Sequence, residues 1–78
     1  MTACEIFIER LNELINDRCA AAHTNLNAIS KEIGINQPTL FRYLKGEREP
    51  GIENLAKISN YFGVSADWLL GLKQYEEE

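Results

Sequence analysis

The segment GINQPTLFRYLKGEREP, Gly34 to Pro50, decides the fold. Asn36 suits a helix N-cap, and Pro38 follows within the first turn, where a missing N–H has no intrahelical partner to lose. The proline therefore starts a helix and does not break one. Gly46 supplies the left-handed residue that commonly closes a helix. The spacing predicts a helix over residues 37–45. At about 100° per residue, Leu40, Tyr43 and Leu44 share one side and must face a core. Opposite them stand Pro38, Arg42 and Lys45, flanked by Thr39 and Phe41, with Gln37 at the tip. An outward side that is apolar and cationic at once is odd against water and calls for a partner.

Working outward, Asn25 can cap a short helix that turns Leu26, Ile29 and Ile33 inward, with Gly34 just past its end. Two short amphipathic helices separated by Gly34-Ile35-Asn36 form the helix-turn-helix pattern, here about residues 25–45, with Ile29, Ile33, Ile35, Leu40 and Leu44 beneath both. Upstream, Thr2-Ala3-Cys4-Glu5 fits a capping box. The helix it opens runs to about Ala22, with Phe7, Leu11, Leu14, Ile15, Cys19 and Ala22 on one stripe. Downstream, a helix over 52–62 turns Ile52, Leu55, Ile58, Ser59 and Phe62 inward. Ser65 caps a short fifth helix holding Trp68, Leu69 and Leu70. No segment alternates with period two. The reading is an all-α, compact five-helix bundle, one domain over 1–73 followed by an acidic tail at 74–78.

Seventy-eight residues, 45% of them apolar, suffice for one small core. No apolar run is long enough to span a bilayer, and no secretory signal is visible. Cys4 and Cys19 fall in one helix roughly 22 Å apart, beyond disulfide reach, which suits reduced thiols in a cytoplasmic protein. One histidine and two distant cysteines make no metal set. No nucleophile stands beside a base and no glycine-rich phosphate cradle exists, so neither an enzyme nor a cofactor is expected. The net charge is −4, distributed as −2 over residues 1–30, +1 over 31–57 and −3 over 58–78. The only segment that is not acidic is the one carrying the outward cations.

The run ISKEIGINQPTLFRYLKGEREPGIENLAKISNYFGVSADWLL, Ile29 to Leu70, resembles the Cro/phage-repressor family of helix-turn-helix domains. Its matching pieces are Ile29 to Ile35, Gly46, the basic loop closed by Pro50, Leu-Ala-Lys-Ile-Ser, and Gly-Val-Ser-Ala-Asp-Trp-Leu-Leu. The resemblance implies a five-helical, lambda-repressor-like domain that binds operator DNA as a two-fold dimer and regulates transcription. Gln37, Pro38, Thr39, Phe41 and Arg42 then stand where base edges are read in a major groove. Asn25, Asn27, Asn36, Lys45 and Arg48 stand where phosphates are held. Trp68, Leu69, Leu72 and Tyr75 are the candidates for the dimer contact. Lys31 is the least defined of the cations.

The chain also departs from the family. Leu26 stands where members often carry a glutamine that contacts phosphate. Cys19 and Leu44 stand where many members pair an arginine with a glutamate. Glu47 and Glu49 offset the positive charge of the loop. These acids, with the net charge, support an alternative in which the same fold serves as a protein-interaction module, an antagonist or adaptor without specific DNA binding.

Overall fold

The computed structural model describes residues 1–73, and Gln74 to Glu78 lie outside it. Five helices follow in the order expected: α1 (Ala3–Ala22), α2 (Leu26–Ile33), α3 (Gln37–Lys45), α4 (Ile52–Phe62) and α5 (Ala66–Leu69). No strand occurs among the described residues. The caps are those read from sequence. Thr2 and Glu5 form a reciprocal capping box, Asn25 accepts from the Ala28 amide, Asn36 from Thr39, and Ser65 from Trp68. Each satisfies an amide that lacks an intrahelical acceptor.

At about 1.5 Å per residue, the 20 residues of α1 reach about 30 Å and run the length of the molecule. Its stripe Phe7, Leu11 and Ile15 is the spine of the core, which Ile29, Ile33, Ile35, Leu40, Tyr43, Ile58 and Leu69 complete. Phe7 meets Tyr43 edge-on at 6.4 Å between ring centroids, an arrangement aromatic pairs favour. Two inward assignments fail. Ala22 is exposed because the last turn of α1 overhangs the core, and Ile52 is 89% exposed. Ile52 is the first residue of α4, and helical side chains lean back toward the N-terminus, so it points past the end of the packed layer.

Polar ties hold the helices at fixed angles. Asn12 donates to the carbonyls of Ile8 and, at 3.2 Å, of Leu44, which ties α1 to the end of α3. Asn54 on α4 donates to the Tyr43 hydroxyl at 2.8 Å. Lys57 donates to the Gly34 carbonyl in the turn between α2 and α3. Arg18 stacks over Tyr61 and Phe62, and the Tyr61 hydroxyl donates to Glu32 on α2. That bond to a carboxylate pushes the Tyr61 phenol above its ordinary value. Arg10 donates to the carbonyls of Trp68 and Lys73 and lies over the Trp68 ring, closing α5 onto α1.

Candidate nucleic-acid interface

The outward side of α3 is built by what lies beneath it. Leu40 is fully buried and Tyr43 is 2% exposed, so these two residues fix the rotation of the helix about its axis. With them inward, Gln37, Pro38, Phe41, Arg42 and Lys45 are left exposed and Thr39 half-buried. Phe41 is 49% exposed, a large apolar ring kept on the surface by the geometry of its own helix. Five of the candidate residues are therefore presented together along two turns.

The turn holds α2 and α3 as one unit. Gly34 adopts φ 89° at the end of α2, and Ile35, 4% exposed, plugs the turn into the core. Between the two helices lies a groove of about 430 Å³ lined by residues that include Asn27, Lys31, Asn36, Gln37 and Pro38. Candidates from both helices thus share one concave surface. Lys31, read only as a cation of uncertain use, belongs to it. The relevant sequence signal is its place four residues after Asn27, on the same face of α2.

The helix starts differ in what they offer an anion. In α2 the Asn25 side chain satisfies Ala28, which leaves the Leu26 and Asn27 amides without an intrahelical partner. In α3 Asn36 satisfies Thr39 and Pro38 has no N–H, so Gln37 alone supplies such an amide. Both starts concentrate partial positive charge.

The far end of α3 is closed by a hydrogen-bonded left-handed turn. Gly46 adopts φ 76°, its amide donates to Arg42 and Tyr43, and the Glu47 amide donates to Arg42 at 2.9 Å. A Cβ on Gly46 would also meet the Ile8 methyl at 2.8 Å. Lys45 lies with Nζ 5.2 Å from the Phe41 ring centroid and 3.5 Å from the Glu47 carboxylate. Arg42 and Arg48 are exposed and make no ion pair among the described residues.

The C-terminal candidates separate. Leu69 is fully buried in the core, because α5 is a single turn whose inner side carries it, so it cannot form a contact between subunits. Leu72 is 72% exposed, and Trp68 is half-buried beneath Arg10. Tyr75 lies outside the described residues.

Two short helices locked across a glycine turn, the second presenting a polar and apolar outer side, define a helix-turn-helix domain. The helix-turn-helix family model matches residues 15–69, and the chain belongs to this family, of the Cro/C1 type. An uncharacterized HTH-type transcriptional regulator of Haemophilus influenzae is 39% identical over 49 residues, 63% of this chain and 20% of the relative. The uncharacterized HTH-type transcriptional regulator YvzC of Bacillus subtilis is 42% identical over 40 residues, 51% of this chain and 52% of the relative. The matches thus span a fifth and about half of the lengths of these curated relatives. No solved structure matches the chain significantly.

Proposed function

We propose that this chain binds double-stranded DNA sequence-specifically, as a repressor-like or Cro-like transcriptional regulator that lays α3 in the major groove of a palindromic operator. The observation that carries this reading is the outer side of α3. Phe41 and Arg42 are exposed while Leu40 and Tyr43, on the opposite side, are buried. A groove about 12 Å wide admits such a helix with its N-terminal residues nearest the bases.

The chemistry of each side chain assigns its part. Arg42 donates bidentately to guanine O6 and N7, Gln37 pairs with adenine N6 and N7, and Thr39 bonds to either kind of edge. Phe41 and Pro38 contact thymine methyl groups. The α2 start at Asn25 and Asn27, with Asn36, Lys45 and Arg48, holds the flanking phosphates and sets the register. Lys31 joins them across the shared groove. A homodimer formed through Trp68 and Leu72 places two α3 helices about 34 Å apart, one turn of DNA.

Selection of bound duplexes from a random pool, followed by a salt titration on the recovered sequence, tests this reading. The expected result is a two-fold symmetric sequence whose log affinity falls with log salt at about −0.9 per phosphate neutralised. Recovery of no preferred sequence, with feeble binding to every duplex, would reject it in favour of a protein-interaction module.

A further inference from the structure

Among the described residues, Lys45 is the proposed phosphate-binding cation that is paired with an acid, and that acid, Glu47, stands just past the C-terminal end of α3. We infer that Glu47 is a built-in competitor for the phosphate at Lys45, lowering affinity for every duplex alike. This inference rests on the DNA-binding reading above.

The geometry fixes the competition. The Glu47 amide is held by the Arg42 carbonyl and Gly46 is in its left-handed conformation, so the backbone that carries the carboxylate is tied to the end of α3. Its Oε2 lies 3.5 Å from Lys45 Nζ. The Phe41 ring centroid lies 5.2 Å from the same ammonium. Of the two neighbours of Lys45 Nζ, the carboxylate competes with phosphate and the aromatic ring carries no competing charge. A phosphate oxygen reaching Nζ must displace the carboxylate or share the ammonium with it, in which case the two anions repel each other. Both side chains are about half exposed, 51% and 54%, so the pair opens without unfolding anything. Because phosphates carry no sequence information, the effect falls on specific and nonspecific duplexes equally.

The test is a double-mutant cycle on DNA affinity with Glu47→Gln, Lys45→Ala and the pair, and with Glu53→Gln as the control acid on α4. Glu47→Gln is expected to tighten binding to selected and random duplexes by about two- to fivefold, the range an exposed ion pair supports. It should steepen the log–log salt slope by up to about 0.9. Both effects should vanish in the Lys45→Ala background, and Glu53→Gln should change neither. Equal tightening with and without Lys45, or no change from Glu47→Gln in a protein that binds DNA, overturns the competition. Wild-type and Glu47→Gln proteins that both ignore every duplex at low salt overturn the DNA-binding reading itself.

Discussion

Asn12, in the middle of α1, donates its side-chain amide to the Leu44 carbonyl at 3.2 Å, in the last turn of α3. The last four carbonyls of a helix have no intrahelical donor, so this bond completes the end of the helix from outside. Asn12→Ala should lower stability by about 1 kcal/mol, the usual worth of such a bond. Urea unfolding measures the loss, and faster hydrogen exchange at the Gly46 and Glu47 amides should accompany it. Unchanged exchange there would mean that α3 holds its end without α1.

Arg42 and Lys45 should fail differently. Arg42→Ala is expected to weaken binding to the selected duplex by about 1–3 kcal/mol and to relax preference at one base position. Lys45→Ala should weaken all duplexes alike and flatten the salt dependence by about 0.9 or less. Competition binding on single-base variants of the selected sequence separates the two.

Leu40 sets the rotation of α3 from a fully buried position. Leu40→Ala should cost about 2–5 kcal/mol. A domain of this length holds only about 4–12 kcal/mol in total. The urea midpoint is therefore expected to fall further than for any replacement on the outer side of the same helix.

Asn36 offers a way to separate folding from binding. Its side chain caps α3, and aspartate caps about as well, whereas alanine costs about 1 kcal/mol. Asn36→Asp should keep the thermal midpoint near that of the wild type but weaken DNA binding, because a carboxylate then stands beside the backbone phosphates. Asn36→Ala should lower the midpoint as well.

Glu5 is held below its ordinary carboxyl value of 4.5 by the Thr2 amide first and the Thr2 hydroxyl second. A depressed native value means that the capping contribution is complete above the ordinary value and fades as pH falls through the native one. Stability measured by urea across the acid range should lose part of its pH dependence in Glu5→Gln, which keeps an acceptor but cannot titrate. An identical profile in both proteins would exclude Glu5 as a source of acid sensitivity.

The helices and their ends were legible because their signals are local. Asn36, Pro38 and Gly46 each speak about a turn only a few residues away, and Leu40 with Tyr43 marks the inner side of α3 by spacing alone. Ile52 misled for a related reason, since spacing describes a helix interior and says nothing of how far the neighbouring layer extends beyond its first turn. Asn12 to Leu44, Asn54 to Tyr43 and Lys57 to Gly34 were not legible, because each joins residues that no local pattern links. The outer residues of α3 were readable by type and position, while the pairing of Lys45 with Glu47 depends on the left-handed turn at Gly46 that brings the Glu47 backbone back to the end of α3. Leu69 was misassigned because a helix of four residues shows too little periodicity to tell its inner from its outer side.

Leu40 and Tyr43 anchor α3 from within, while Gln37, Pro38, Phe41 and Arg42 share its backbone yet lie outside the buried cluster. On the proposed reading, address and scaffold are in this way written on opposite sides of one rod. The lettering can be changed, residue by residue, without asking the building beneath to move.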